Sequence, residues 1–492
     1  MLPKKALVIG SGIAGMATAI RLAVAGYQVS VYEANDKPGG KLTFFENKGY
    51  QFDEGPSLFT QPQNIADLFT LANEPIESYF NYDKVDIACH YFFENGKRVA
   101  AYTDKNLFAN ELASALKEDA GAVKQYLTDA ENLYNKVGTV FIDHSLHQIK
   151  TWLHKRILSA LGAVKFTYLF NSLNQHNHNK LKTAEAVQIF NRFATYNGSN
   201  PYKAPAMLSL IPHLEQNQGT YYPKGGMISI TQALHQLALK KGVEFHFNHS
   251  VEKILHEKKS VKGIMVKGKE ILSDIIVSNA DVYYTYKNLL DHIPKANKLA
   301  AIERSSSALI FYWGIKKQFT ELGLHNILFS NNYKEEFDCL FQTKTLHHDP
   351  TIYINITSKM EKEQSPEGCE NWFVMVNAPT NIGQDWDVLI AAARKNLIDK
   401  INRILQTSIE DYIETESILD PRLIEKKTKT YKGSLYGTSS NSTFAAFLRP
   451  ANFTSKIKGL YFCGGTVHPG GGIPLCLKSA HITSEMIQSK HG

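Results

Sequence analysis

The chain has 492 residues, 43% of them hydrophobic and 21% charged, which is the composition of a globular protein with about three domains' worth of chain. Its 54 basic and 47 acidic residues give a net charge of +7 without a basic block, which argues against a nucleic-acid partner. Five cysteines without CxxC spacing favour neither a disulfide framework nor a metal site, and they indicate a reducing compartment.

The N-terminal segment predicts a dinucleotide-binding turn. A short apolar strand over Lys5–Ile9 leads into three glycines and then a helix over Met16–Ala25. The first glycine permits a tight turn, the second lets the backbone approach a pyrophosphate, and the third lets the helix pack on the strand. Amide groups at the helix N-terminus then face the anion. The predicted cofactor contacts here are Gly10, Gly12, Ile13, Ala14 and Gly15.

A second predicted strand carries an acidic residue at the expected distance. The alternating run Gln28–Tyr32 delivers Glu33 about 20 residues after the glycine turn, as an acceptor for ribose hydroxyls. An acid at this position disfavours a 2′-phosphate and therefore NADP. A second glycine turn with a cation follows, suited to a diphosphate that is approached from two sides. Its predicted contacts are Ala34, Gly40, Lys41 and Leu42.

A candidate membrane-contacting helix covers residues 149–170. Its apolar stripe consists of Ile149, Trp152, Leu153, Ile157, Leu161, Val164 and Tyr168, and its basic edges of Lys150, Lys155, Arg156 and Lys165. An ordinary surface helix has the same pattern, so both interpretations stand. No apolar stretch reaches the roughly 18 to 20 residues of a spanning helix, and Met1–Lys5 leaves no room for a signal peptide.

Apolar periodicity and the positions of turn-forming residues predict several further features. His176 and His178 lie in a polar run that indicates a solvated loop, with no metal role. The small side chains of Cys463 and Cys476 are expected to be buried hydrophobes. The predicted strands are 243–247, 250–254, 308–315 and 371–378, and the predicted helices are 228–239 and 386–405.

Two motifs at opposite ends of the chain resemble those of one flavoprotein group. The turn after Glu33, with Gly49–Ser57, resembles the extended N-terminal motif of the amine oxidase and carotenoid desaturase superfamily. The run Gly459–Ile473 resembles the C-terminal signature of bacterial carotenoid desaturases, which are similar to phytoene desaturase. Where phytoene desaturases have a small residue and a threonine before His-Pro, this chain has Thr466-Val467. That departure is more similar to the branch that acts on the 3,4 bond of hydroxylated or methoxylated carotenoids.

The resemblance implies an α/β fold: a Rossmann-type FAD-binding domain, as in the amine oxidase and glutathione reductase-like superfamily, with an interleaved α+β substrate domain. The FAD-binding domain would comprise residues 1–72, 220–281 and 435–492, and the substrate domain residues 73–219 and 282–434. The implied cofactor is FAD, and Val251 would contact its adenine through the backbone. The other implied contacts are Gly55, Pro56, Ser57, Asn279, Gly464, Gly465, Gly472, Ile473 and Pro474.

The implied activity is desaturation of a carotenoid, which removes a hydride from one carbon and a proton from its neighbour. Beside a polyene the cation left by hydride loss is delocalised, so a modest proton acceptor suffices and no metal is needed. His468 and Asp53 are the candidate catalytic residues; the alternatives are that His468 only shapes the loop and that Asp53 only stabilises a turn. Water is a further candidate for the acceptor.

The predicted partners are the carotenoid, a membrane surface as its reservoir, and oxygen or a quinone as electron acceptor. The protein would be cytoplasmic and peripherally associated with the inner face of the membrane. Three alternatives to a 3,4-desaturase of 1-hydroxycarotenoids stay open. They are a phytoene-type desaturase, a carotenoid isomerase that uses the flavin without net oxidation, and a non-catalytic prenyl or lipid carrier similar to the Rab escort proteins.

Overall fold

The structure is a computed structural model that describes residues 4–153, 166–290, 295–442, 445 and 448–492. Residues 154–165 of the predicted membrane-contacting helix lie outside the described residues. The strands are β1 (Lys5–Ile9), β2 (Gln28–Tyr32), β3 (Phe44–Asn47), β4 (Tyr50–Asp53), β5 (Phe59–Thr60), β6 (Tyr82–Lys84), β7 (Ile87–Phe92), β8 (Arg98–Tyr102), β9 (Thr220–Pro223), β10 (Glu244–His246), β11 (Val251–Glu257), β12 (Ser260–Val266), β13 (Lys269–Leu272), β14 (Ile276–Ser278), β15 (Ser307–Ile315), β16 (His325–Leu328), β17 (Ile352–Ile356), β18 (Glu370–Ala378), β19 (Ile413–Leu419) and β20 (Leu460–Phe462).

The α-helices lie mainly before β9 and after β14 in the chain. They are Ile13–Val24, Gln63–Leu71, Lys105–Leu116, Ala120–Leu133, Thr139–Asp143, Ile149–Trp152, Phe166–Phe170, Leu173–Lys180, Ala184–Asn191, Ile228–Lys240, Val282–Tyr284, Lys295–Ala300, Tyr333–Asp338, Trp386–Leu405, Pro421–Thr428 and Ile473–His491. Within the described residues, none of them has both the length and the apolar sequence that a bilayer span requires.

A parallel sheet has the strand order β10-β2-β1-β14-β20. Because its strands run in one direction, Ile9, Tyr32, Ser278 and Phe462 all end at the same edge. The chain segments that follow these residues contain the N-terminal glycine turn, Glu33, Asn279 and the C-terminal signature. The topology therefore places both ends of the chain at one edge of one sheet.

The helix Ile13–Val24 covers the parallel sheet and packs on the C-terminal helix Ile473–His491. Met16 and Ile20 of the first helix and Leu477 and Ala480 of the last belong to one buried cluster. Burial of these apolar faces is the main favourable contribution to docking the two ends of the chain.

A second, mixed sheet has the order β19-β15-β18-β17-β16-β7-β8. Strands β7 and β8 come from the first inserted stretch of the chain, and the other strands come from the second. Trp313 and Trp372 are register partners on β15 and β18, and both are fully buried. The predicted domain boundaries stay predictions.

The prediction of a solvated loop around His176 is wrong. Residues 173–180 form a helix whose N-terminus is fixed by a capping box between Ser172 and Gln175. His176 is buried against the ring of Tyr126, with centroids 5.5 Å apart, and burial lowers its pKa to about 4. Because this polar sequence has no apolar periodicity, the helix is stabilised by its N-terminal capping box and by the packing of His176.

Candidate active site

Asn279 connects the two glycine-rich loops. Its backbone amide donates to the carbonyl of Ile9 at 2.8 Å, and its side-chain Nδ2 donates to the carbonyl of Cys463 at 3.2 Å. A Cβ added to Gly12 would lie 2.7 Å from Asn279 Oδ1, and one added to Gly464 would lie 2.6 Å from Asn279 Nδ2. One amide side chain thus fills the space that the two loops leave between them.

The glycine turn presents unoccupied backbone donors. Gly12 is the N-cap of the helix Ile13–Val24, and no side chain accepts a hydrogen bond from the first turn of that helix. A Cβ on Gly15 would lie 2.2 Å from the carbonyl oxygen of Gly10, so a larger residue would separate helix and strand. The second glycine turn lies against the first, because Gly39 pairs with Gly12. The free amides and the helix dipole make this a site for a phosphate-type anion.

Glu33 fixes the end of β2 to the glycine turn. Its buried carboxylate accepts from the amide and the hydroxyl of Ser11, both at 2.8 Å. Its other oxygen accepts from the backbone amide and Nδ2 of Asn35 at 3.0 and 2.8 Å. The amide of His249 donates to the backbone carbonyl of Glu33, which brings the start of β11 and Val251 to this side of the site. Ser11 as a partner of Glu33 was missed in the sequence.

The segment 41–57 forms the next side of the site. A Cβ on Gly55 would lie 1.8 Å from the carbonyl oxygen of Lys41, so the two backbones are in direct contact. Lys41 Nζ donates to the carbonyl of Leu435 at 2.7 Å, and Thr231 Oγ1 donates to the carbonyl of Leu42 at 3.0 Å. Residues separated by nearly 400 positions therefore meet around Lys41.

Four half-exposed side chains have pKa values that are shifted chiefly by burial. The pKa of Lys41 is lowered, that of Tyr353 is raised, that of Tyr436 is raised to about 12, and that of Cys476 is raised to about 11. Each shift disfavours the charged form of its group, as burial in a low-dielectric environment does.

The C-terminal signature packs against two of these side chains. A Cβ on Gly471 would lie 2.7 Å from the ring of Tyr436, and one on Gly465 would lie 3.6 Å from the sulfur of Cys476. The helix that follows begins at Ile473 with Pro474 in its first turn, and no side chain caps it. Its N-terminus is a second positive dipole end at the site.

Arg449 adds a buried cation that the sequence did not indicate. Its guanidinium donates to the carbonyl of Tyr436 at 2.7 Å and to the hydroxyl of Ser440 at 3.3 Å, both neutral acceptors. Burial lowers its pKa to about 10, which leaves it protonated at neutral pH. A Cβ on Gly470 would lie 3.0 Å from its Nε. The positive charge is therefore set directly beside the signature loop.

His468 is buried and neutral. Its Nε2 donates to the carbonyl of His144 at 2.9 Å, and its backbone amide donates to the carbonyl of Pro450 at 2.9 Å. Burial lowers its pKa to about 4 in spite of the carbonyl of His144, which favours the charged form. The ring thus ties the signature loop to the segment around residue 144.

Asp53 is buried at the N-terminus of the helix Ile228–Lys240. Its Oδ2 accepts from the amide of Met227 at 3.0 Å, whereas its Oδ1 is buried and has no hydrogen-bond partner in the described part of the chain. Burial raises its pKa to about 6, against the lowering effect of the amides of Met227 and Ile228. Asp53 is therefore ionised at neutral pH but titrates close to it.

Potential metal ligands lie elsewhere in the chain. Within the described residues, Glu335, His347 and His348 form one group whose ligand atoms lie within 4.8 Å of one another. These residues are on the segment before β17, whereas the glycine loops follow strands of the parallel sheet. The expectation that the chemistry needs no metal stays a prediction.

The glycine turns, Glu33 and the uncapped helix N-termini fit a dinucleotide that is approached from both ends of the chain. The family profile described as flavin containing amine oxidoreductase matches residues 13–487. The crystal structure of an oxidoreductase from Methanosarcina mazei matches with a TM-score of 0.63 at 16% identity, over 99% of this chain and 100% of that one. That likeness shows the fold, and the predicted fold class is confirmed.

Two relatives match over nearly their whole length. A 1-hydroxycarotenoid 3,4-desaturase of Flavobacterium sp. strain P99-3 is 50% identical over 484 residues, which are 98% of this chain and 99% of that protein. A 4,4'-diaponeurosporene oxygenase of Staphylococcus haemolyticus is 30% identical over 99% of this chain and 98% of that protein. The chain therefore belongs to the flavin containing amine oxidoreductase family, within its carotenoid desaturase branch, and its cofactor is FAD.

Proposed function

We propose that the protein is an FAD-dependent desaturase that introduces the 3,4 double bond into an acyclic 1-hydroxycarotenoid. The observation that carries this proposal is the 50% identity to the 1-hydroxycarotenoid 3,4-desaturase along 98% of the chain. The identity to the staphylococcal oxygenase is 30%, which makes an oxygenase the weaker candidate. The Thr466-Val467 pair agrees with the same branch. Thr466 has a structural role as well, since its hydroxyl accepts from the amide of Val282 at 3.0 Å.

When bound, FAD supplies the hydride acceptor of the reaction. The amides that follow Gly12 would hold its diphosphate, and Glu33 would accept from its ribose hydroxyls. The remaining predicted contacts other than Ser57 would line the rest of the cofactor. Arg449 and the N-terminus of the helix Ile473–His491 stabilise negative charge at the signature loop.

The two candidate proton acceptors differ in their suitability. Asp53 is an ionised carboxylate at neutral pH, and one of its oxygens has no hydrogen-bond partner. His468 is a weaker base, with a pKa of about 4, and its ring donates to a backbone carbonyl. We therefore assign the proton acceptor to Asp53 and a positioning role in the signature loop to His468.

Substrate enters from the cytoplasmic face of a membrane. Four large apolar side chains on either side of residues 154–165 are strongly exposed: Ile149 by 82%, Leu153 by 74%, Phe166 by 76% and Phe170 by 75%. Exposed apolar side chains of this size are costly in water and favourable at a lipid interface. The basic residues of the same segment favour an anionic surface. A quinone in that membrane, or oxygen, reoxidises the flavin.

The proposal is tested by expressing the chain in hosts that accumulate different carotenoids and identifying the products by chromatography and mass spectrometry. We expect conversion of 1-hydroxylated acyclic carotenoids into products with a 3,4 double bond. Conversion of phytoene but not of hydroxylated carotenoids would instead indicate a phytoene-type desaturase. An isomer without loss of hydrogen would indicate an isomerase, and binding without conversion a lipid carrier.

A further inference from the structure

A chain of three polar side chains leads from the segment 55–57 into the mixed sheet. Ser57 Oγ lies 2.8 Å from the hydroxyl of Tyr353, and that hydroxyl lies 2.8 Å from Nδ1 of His325. Tyr353 is on β17 and His325 is on the neighbouring strand β16. The rings of Tyr353 and Phe373 lie 6.1 Å apart, so apolar surface adjoins the polar chain.

The direction of these hydrogen bonds follows from Asn355. Its Nδ2 lies 3.0 Å from the carbonyl of Leu324, which can only accept, and 3.1 Å from Nδ1 of His325. Nδ1 therefore accepts as well, and the hydroxyl of Tyr353 donates to it, while the ring proton lies on Nε2, which is buried without a hydrogen-bond partner among the described residues. Burial keeps the imidazole neutral by lowering its pKa to about 3.

Ser57 is consequently left as a hydrogen-bond acceptor. Because the proton of Tyr353 is directed to His325, the oxygen of Tyr353 accepts the proton of Ser57. The lone pairs of Ser57 Oγ are then available to a further donor. Ser57 and Tyr353 are both only half-buried, so a further donor can reach them.

The proposed substrate carries a matching donor at the matching place. In a 1-hydroxycarotenoid that is oxidised at its 3,4 bond, the hydroxyl-bearing carbon is two bonds from C3, one of the carbons that loses hydrogen. A group that binds this hydroxyl must therefore lie next to the reacting end of the site. Ser57 lies two residues after Gly55, whose backbone is in direct contact with that of Lys41, a predicted FAD contact.

We propose that Ser57, oriented by Tyr353 and His325, accepts the hydrogen of the substrate's 1-hydroxyl group and so determines preference for hydroxylated carotenoids. This inference rests on the proposed function. Its chemistry is specific, since a 1-methoxy group and an unsubstituted end have no hydrogen to donate. A site built around an acceptor discriminates against analogues that leave it unpaired.

The test compares kcat/KM for a 1-hydroxylated and a 1-methoxylated carotenoid of the same skeleton, with purified FAD-loaded protein. The ratio of the two values does not depend on the fraction of folded or flavin-loaded protein. We expect the wild type to favour the hydroxylated substrate by about tenfold or more. Ser57→Ala should bring the ratio close to one, and Tyr353→Phe should lower it because Ser57 becomes free to donate. Ser57→Thr, which keeps the hydroxyl, should retain the preference.

Tyr126→Phe is the matched control, because it removes a buried tyrosine hydroxyl that donates to Asn177 and takes no part in the hydrogen bonds of Ser57, Tyr353 and His325. Its ratio should equal that of the wild type. A Ser57→Ala variant that keeps the wild-type ratio would overturn the inference and leave the proposed function intact. A wild type that oxidises both substrates equally would have the same consequence. A wild type that oxidises neither would overturn the proposed function itself.

Discussion

Asn279 and Gly464 are in such close contact that a single added carbon would separate them. A Cβ on Gly464 would lie 2.6 Å from Asn279 Nδ2, and the φ of Gly464 is +108°, which strongly disfavours any larger residue. This contact joins the middle of the chain to its C-terminal signature. The same side chain also contacts Gly12, so it fills the space between the two glycine loops.

Gly464→Ala is therefore predicted to lose FAD and to unfold more easily, by about 1–3 kcal/mol from backbone strain, with the clash as an additional cost. The measurements are the ratio of FAD to protein after purification and the thermal unfolding midpoint. Gly383→Ala is the control, since Gly383 has a φ of +96° but no atom within 4 Å of an added Cβ. Equal loss of flavin from both variants would show that the contact with Asn279 is not the cause.

Asp53 should determine the rate at low pH. Since a proton acceptor works only when ionised, turnover of the wild type is predicted to rise with an apparent pKa of about 6. Asp53→Asn should lower kcat by about 100-fold and abolish this dependence. His468→Gln serves as the comparison, and its loss should be smaller, with the same pH profile as the wild type. A wild-type profile in Asp53→Asn would exclude the carboxylate as acceptor.

Ionisation of Asp53 should lower the stability of the folded protein, whereas it raises the rate of turnover. Burial raises the pKa of Asp53 from 3.8 to about 6, so the folded protein binds the proton more tightly than the unfolded chain. The folded state consequently loses stability as the pH rises from about 4 to above 6, by about 3 kcal/mol in total from this group. The measurement is the free energy of unfolding of Asp53→Asn and of the wild type, by chemical denaturation at pH 4 and pH 8. Relative to the wild type, the variant should be more stable at pH 8 than at pH 4 by about this amount. A difference that is constant with pH would contradict the assignment.

Membrane binding is predicted to depend on the exposed apolar patch. Replacing Ile149, Leu153, Phe166 and Phe170 by serine should weaken co-sedimentation with vesicles of phosphatidylglycerol and phosphatidylcholine by at least about 100-fold. The control replaces Ile382 and Val388, which are exposed by 54% and 63% on another part of the chain. Unchanged binding of the patch variant, or equal loss in the control, would refute a specific membrane face.

Local signals in the sequence were sufficient to predict the bounds of several strands and helices. The strands Lys5–Ile9 and Gln28–Tyr32 and the helix Trp386–Leu405 have the predicted bounds, because apolar periodicity and flanking glycine or capping residues agree there. The helix Leu173–Lys180 was missed because its polar residues lack that periodicity. The glycine motifs likewise indicated a cofactor site before any contact was known.

Long-range contacts could not be derived in this way. The pairing of Ser57 with Tyr353 joins residues 296 positions apart, and that of Lys41 with Leu435 joins residues 394 positions apart. Such pairs depend on strand register and on the docking of separate elements. Arg449 has no motif around it, and only its burial beside Gly470 indicates a role at the site.

The central claim is that this protein transfers a hydride from a hydroxylated carotenoid to its flavin. The most direct measurement is to mix purified, oxidised holoprotein with a 1-hydroxylated acyclic carotenoid in the absence of oxygen and record the visible flavin absorbance. We predict that the flavin band bleaches in a single turnover and that the carotenoid product is two hydrogens lighter, with a double bond at the 3,4 position. A flavin that stays oxidised with this substrate but is reduced by phytoene would contradict the account.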